Sequence, residues 1–357
     1  MNSFDYRAPW WLPGGNLQTI WSALQARRFH GEPPRYLRER WATPDADFID
    51  VDFLEKAPTL RRYAGRCPPG GLISLGAAQR EIEAPTFPVP STLVVLFHGL
   101  EGTSRSHYAE AFADFSRQRG LAFCVPHFRG CSGELNLAPR AYHSGDFEEI
   151  GWILQRLRER HVGPIVALGV SLGGNALLRW AQEMGEQASK TVDAIASVCS
   201  PIDLAASGAA IGRGFNRMVY TRMFINSMKP KALRKWAQHP GLFDRHALAE
   251  ASDLYEFDNI FTAPLHGFKN TEDYWARCSA KPHLAQIRVP ALVVNALNDP
   301  FVPAACLPLA SKNGQVGTHV TLWQPAQGGH VGFPQGDFPA HLRAMPDLVG
   351  RWLLAKT

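Results

Sequence analysis

Charge is scarce in this chain. Asp, Glu, Lys and Arg make up 19% of 357 residues and hydrophobic residues 45%, which excludes a disordered polyelectrolyte and supplies a sizeable core. The net charge of +5 is small, and basic residues are not interleaved with stacking aromatics, so no nucleic-acid partner is expected. No run approaches the roughly 18 continuous apolar residues of a membrane span. The opening MNSFDYRAPWWLPGG lacks the basic start and apolar core of a signal peptide, so residence is expected to be cytoplasmic. Cysteine is sparse: Cys67, Cys124, Cys131, Cys199, Cys278 and Cys306 form no CxxC pair and read as reduced core thiols. There is no HExxH or other paired-ligand spacing, so neither a metal nor an organic cofactor is expected.

What is present is an alternation of apolar, strand-length runs with segments of helical period, the mark of a largely parallel α/β sheet. RYLRERWA and DFIDVDFL suit an opening hairpin. TLVVLFHG, LAFCVPHFRG, PIVALGVS, AIASVCSP and PALVVNALND are near-continuous apolar runs, as in strands buried on both faces. Helical segments are expected over Ala109–Arg119, Phe147–Arg160 and Asn175–Met184, with Asp146 and Glu149 capping the second. A last helix within PAHLRAMPDLVGRWLLA should be interrupted near Pro346. The Pro/Gly-rich stretch 65–90 reads as a surface excursion. Residues 205–280 break the rhythm between two core strands. The expected layout is therefore a core of 1–204 and 281–357, with an N-terminal arm over 1–35 and a helical cap over 205–280.

Gly169, Ser171 and Gly173 form G-x-S-x-G between a buried strand and a helix. In that context the motif is a nucleophile elbow: a strained turn projects the serine and aims a helix N-terminus at developing negative charge. An acyl-transfer serine needs a base and an acid to orient the base. Asp299 follows a strand, and His330 comes 31 residues later in GGHVGF, matching the order Ser, Asp, His of an α/β-hydrolase sheet. Asp203 in CSPIDL is the rival acid. His98 follows a strand directly and reads as structural or as part of the oxyanion loop. His107, His127 and His143 stand in the wrong order for the base. The oxyanion donors should be the backbone N–H groups of Leu172 and, from HGLEG, Leu100.

With these motifs in hand, the chain resembles the YheT-like branch of the α/β-hydrolase superfamily. The resemblance runs through APWWLPGGNLQTIW, HGLEGTSRSHY, FRGCSGE, YHSGD, GVSLGGN, TAPLHGF and GGHVGF. It implies a mostly parallel eight-stranded sheet with helices on both faces and an inserted helical cap. It also implies a serine hydrolase acting on carboxylic esters, with Ser171, Asp299 and His330 as the triad. The expected activity is cleavage of short- to medium-chain esters, on a small-molecule or lipid substrate. The alternatives are transfer of a medium-chain acyl group to an alcohol, and a non-catalytic hydrolase fold that only binds.

Secondary features have plainer readings. Trp10, Trp11 and Trp21 read as an arm packed on the core, against an acyl-chain entrance. Between Arg213 and Lys235 the cap is basic and Met-rich, and 204–243 holds no acid. That pattern suits a solvated helical face over an apolar stripe, and leaves transient contact with an anionic membrane surface or with an acyl carrier's phosphates as the functional reading. Gly99, Met223 and Phe224 are the expected substrate contacts. Arg129 and Glu134 would brace FRGCSGE, and Cys131 has no base to make it a nucleophile. Oligomeric state leaves no signal in the sequence.

Overall fold

The computed structural model describes residues 6–55, 91–308 and 316–357. The 65–90 excursion and Cys67 lie outside the described residues. The two alternating segments near the start pair as an antiparallel hairpin, β1 (Tyr36–Ala42) and β2 (Phe48–Leu54). The apolar runs become β3 (Leu93–Phe97), β4 (Ala122–Pro126), β5 (Ile165–Val170), β6 (Ala194–Val198) and β7 (Ala291–Val294), in which every residue is buried. With β8 (Val320–Trp323) they form one sheet in the order β1-β2-β4-β3-β5-β6-β7-β8. Pairing is antiparallel from β1 to β4 and parallel across the rest.

Side-chain alternation splits the strands between two cores. Val95, Phe97, Ala167 and Val293 pack with α3 (Phe147–Arg160) and α4 (Leu172–Met184), through residues such as Ile150 and Leu177. Val94, Leu96, Leu168 and Leu292 face the other way, against α2 (His107–Gln118) and the C-terminal helix, through Phe112 and Val349. Helices therefore cover both faces. The Asp146 carboxylate accepts the Glu149 N–H at 3.4 Å, the expected cap. The C-terminal helix differs from expectation. It begins at Ala344 and runs unbroken to Leu354, with Pro346 in its first turn. A first-turn N–H has no intrahelical acceptor, so proline costs no hydrogen bond there.

Between β6 and β7 the chain is helical, including α5 (Leu204–Ile211), α6 (Arg222–Gln238) and α7 (Thr271–Cys278). This insertion has an apolar centre of its own, formed by Ile225, Ala232, Leu248, Phe257 and Phe261. π-Helical turns at Arg217–Thr221 and Asp258–Thr262 widen its helices. The three lysines of α6 are tied to the protein. Lys235 is buried, donating to the carbonyls of Asn136 and Ala138 at 2.5 and 2.9 Å, and burial pulls its pKa down to about 8. Lys229 donates to the Ala251 carbonyl at 2.9 Å, and Lys231 pairs with Glu101 at 2.8 Å. These lysines anchor the insertion, while Arg213, Arg217, Arg222 and Arg234 stay exposed, as the solvated face read from sequence requires.

FRGCSGE is braced, though not by the expected pair. Arg129 is buried among Asp45, Asp47 and Glu149 at 2.5–2.8 Å, and Glu134 pairs with Arg40 at 3.0 Å. Arg129 therefore locks the loop to the β1–β2 turn and to α3. Sequence proximity chose the wrong acid.

Candidate active site

Ser171 sits between the end of β5 and the first residue of α4, with φ 53° and ψ −120°. A left-handed backbone is unfavourable for a serine, by about 1 kcal/mol or more. The glycines two positions either side allow it. A Cβ at Gly169 would lie 2.4 Å from the Gly173 carbonyl oxygen, and one at Gly173 would lie 2.5 Å from that of His98. The Ser171 N–H donates to the Val198 carbonyl at 2.8 Å, holding the turn to β6.

His330 Nε2 lies 3.0 Å from Ser171 Oγ, and Nδ1 lies 2.9 Å from Asp299 Oδ2. The second carboxylate oxygen accepts the Phe301 and Val302 N–H groups at 2.8 and 3.3 Å. With that oxygen occupied, Oδ2 can only face the imidazole. Asp299 and His330 are buried, and the Phe301 ring packs 4.2 Å from the imidazole.

The loop bearing His330 is held by four consecutive backbone donors. Gly328 N–H donates to Gln18 Oε1 at 2.9 Å, Gly329 N–H to Asn298 Oδ1 at 3.0 Å, and His330 N–H to Thr19 Oγ1 at 2.8 Å. Val331 N–H donates to Cys199 Sγ at 3.3 Å. Val331 has a positive φ of 61°, which a β-branched residue rarely adopts, so these bonds hold a backbone that would otherwise relax. Gln18 and Thr19 belong to α1 (Gly15–Leu24), in the N-terminal arm.

Leu172 and Leu100 present backbone N–H groups with no hydrogen-bond partner among the described residues. Leu172 opens α4, where the helix dipole adds a partial positive charge. Leu100 occupies a turn closed by Gly102 N–H to the Gly99 carbonyl at 2.9 Å. His98 secures that turn from below: Nδ1 donates to the Gly99 carbonyl at 2.8 Å, and Nε2 accepts the Phe128 N–H at 3.1 Å. Complete burial pulls its pKa down to about 3, so the ring stays neutral.

A cavity of about 170 Å³ opens onto Ser171, Leu172 and His330. Leu204, Ile211, Phe224, Met228 and Phe261 of the insertion form much of its wall. The volume is comparable to the roughly 150 Å³ that holds a benzene ring in an apolar protein cavity.

Residues 92–337 match the family described as alpha/beta hydrolase fold. The chain is 37% identical over 324 residues to YheT of Escherichia coli (strain K12), named as a candidate esterase, covering 90% of this chain and 84% of that protein. The chain belongs to the α/β-hydrolase family. Mouse phospholipase ABHD3 is 27% identical over 73% of this chain, which spans 63% of that relative. The Saccharomyces cerevisiae monoacylglycerol lipase is 26% identical over 68% of this chain and 54% of its own length. Among solved structures, Est1E from Butyrivibrio proteoclasticus aligns with a TM-score of 0.51 at 13% identity, covering 90% of this chain and 98% of that one. At that identity the likeness concerns the fold alone. This α/β-hydrolase is an ester hydrolase of the esterase and lipase type.

Not every expected residue reaches the hydrolase site. Phe224 lines the cavity, whereas Met223, one position earlier on α6, is 54% exposed and points away. Gly99 stands behind Ser171: a Cβ there would meet Ser171 Cβ at 3.2 Å. Asp203 is occupied elsewhere, capping α5 through the Ala206 N–H at 3.1 Å and pairing with Lys281 at 3.1 Å. His127 pairs with Asp52 at 2.8 Å, and His107 is half-buried with its ring against Tyr108. His143 lines the cavity next to His266, with ring centroids 4.4 Å apart. Trp10, Trp11 and Trp21 do not touch the cavity; Trp11 and Trp21 pack edge to face, and Trp10 is 91% exposed. Cys131 is buried and its thiol is pushed up to about 12, unsuited to nucleophilic work.

Sequence reasoning missed Gln18, Thr19, Asn298 and Cys199. The only cue was that GGNLQT lies inside the block carrying the family resemblance. It also missed Asp258, which faces the cavity while accepting from Thr262 Oγ1 at 2.7 Å and Trp275 Nε1 at 2.9 Å. Burial raises the Asp258 pKa to about 6. The folded state therefore binds this proton more tightly than the unfolded chain. Stability from it is complete below pH 4 and is lost as pH rises through 6, by about 3 kcal/mol at most. Asp258→Asn, which keeps the acceptor for Trp275, should raise Tm at pH 8 by about three times as much as at pH 4.5. Thermal melts at both pH values check this.

Proposed function

We propose that the protein hydrolyses short- to medium-chain carboxylic esters by two-step acyl transfer, with Ser171 as nucleophile, His330 as base and Asp299 as the orienting acid. The observation carrying this reading is the continuous contact Ser171 Oγ, His330 Nε2, His330 Nδ1, Asp299 Oδ2, at 3.0 and 2.9 Å. His330 takes the Ser171 proton as Oγ attacks the ester carbonyl. The N–H groups of Leu100 and Leu172 hold the oxygen as it becomes negative. His330 then returns the proton to the leaving alkoxide, and the alcohol departs. A water molecule, deprotonated by the same imidazole, releases the acid and restores the serine. Throughout, Asp299 holds the proton on Nδ1 and stabilises the imidazolium.

The cavity sets the acyl length. Its apolar wall and volume of about 170 Å³ favour a short aliphatic or small aryl acyl group over a long chain. Over a p-nitrophenyl ester series from acetate to palmitate, kcat/KM should peak between butyrate and octanoate and fall by at least about tenfold at palmitate, since each buried methylene is worth about 0.8 kcal/mol only while it fits. A profile still rising at palmitate would contradict this limit. Adding a primary alcohol separates hydrolysis from acyl transfer: free acid is the expected main product, and an alkyl ester as main product would favour the transferase reading.

A further inference from the structure

We infer that Glu101 is a positioning residue that ties the seating of the helical insertion to the oxyanion turn; the inference rests on the ester-hydrolase reading above. Glu101 follows Leu100 directly and has φ 58°. It stands third in the turn closed by Gly102 N–H to the Gly99 carbonyl, a place that normally goes to glycine when φ is positive. Its backbone N–H donates to Tyr142 Oη at 3.0 Å, and that hydroxyl donates back to Glu101 Oε1 at 2.9 Å. One tyrosine thus grips the residue at both ends. Tyr142 is itself fixed by stacking on Phe128, with centroids 5.4 Å apart and planes 10° apart.

The other carboxylate oxygen belongs to the insertion. Glu101 Oε2 accepts from Ser227 Oγ and pairs with Lys231 Nζ at 2.8 Å, both on α6. Ser227 and Lys231 are one helical turn apart, so they present a single face to this carboxylate. Glu101 is only 10% exposed, which strengthens the pair relative to a surface one. α6 also carries Phe224 and Met228 into the acyl cavity. One rigid element therefore shapes the cavity and holds the strained residue beside the proposed oxyanion donor. A shift of α6 would release the turn, and a misplacement of about 1 Å at a donor costs up to about a hundredfold in rate.

Glu101→Gly tests this in the full-length protein, because glycine adopts φ 58° without strain while removing the latch. With p-nitrophenyl butyrate, kcat should fall about tenfold to a hundredfold with KM within about twofold and Tm near wild type. Affinity for a butyl trifluoromethyl ketone, which forms a tetrahedral oxyanion on the serine, should fall by the same factor. The double variant Ser227→Ala/Lys231→Met does not touch the turn, yet should lower kcat in the same direction. Combining it with Glu101→Gly should then add little. Wild-type kcat and ketone affinity in Glu101→Gly would overturn the inference, as would a change confined to KM or full additivity with the α6 variant. Failure of the underlying reading looks different: the wild-type protein itself would turn over no ester.

Discussion

Asparagine at position 299 should lower kcat about 10⁴-fold with little change in Tm. The size follows from the hydrogen-bond inventory of the carboxylate. Asp299 Oδ1 accepts from two backbone donors, Phe301 and Val302 N–H. An asparagine must therefore keep its oxygen on that side and turn its amide nitrogen toward His330. An amide nitrogen only donates, so His330 Nδ1 would become an acceptor and the ring proton would move to Nε2. Nε2, 3.0 Å from Ser171 Oγ, could then no longer take the serine proton. Steady-state kinetics with a thermal melt check this outcome. A variant within tenfold of wild-type kcat would show that the base is oriented by something other than Asp299.

Removing the Ser171 hydroxyl is expected to cost more. Ser171→Ala should lower turnover by about 10⁴- to 10⁶-fold, leaving whatever the oxyanion donors and binding alone supply. Alanine inherits the φ of 53°, so the strain is unchanged and the melt should shift by less than about 1 kcal/mol equivalent. Ser171→Gly should be equally inactive but more stable, because glycine removes the strain. A stabilised, inactive glycine variant beside an inactive alanine variant would separate the chemical role of the hydroxyl from the backbone cost of its position. Ser171→Ala with near-native turnover would remove the serine from the reaction.

The sheet was legible because buried strands and amphipathic helices announce themselves within a dozen residues. Val166 through Val170 is apolar without a break, and Asp146 with Glu149 marks a helix start. Ser171, Asp299 and His330 were legible for a related reason: each stands just beyond a recognisable strand, in an order the sheet dictates. The supports of His330 had no such signal. Thr19 and His330 are separated by 311 residues, and Gln18 and Gly328 by 310. A hydrogen bond across that distance leaves no period or local motif. Arg129 shows the same limit: three acids compete for one buried guanidinium, and the nearest acid in sequence is not among them. Met223 and Phe224 show the last. Composition marks a helix as lining a cavity, but one residue of rotation decides which side chain enters it.

The central claim is that Ser171 is the nucleophile of an ester hydrolase. The most direct measurement treats the wild-type protein and Ser171→Ala with a fluorophosphonate, maps adducts by peptide mass spectrometry, and follows p-nitrophenyl butyrate hydrolysis in the same samples. One adduct on Ser171, appearing in step with loss of hydrolysis and missing from the alanine variant, is the predicted result. Hydrolysis that survives complete labelling of Ser171, or a wild-type protein that neither reacts with the phosphonate nor cleaves the ester, would contradict it.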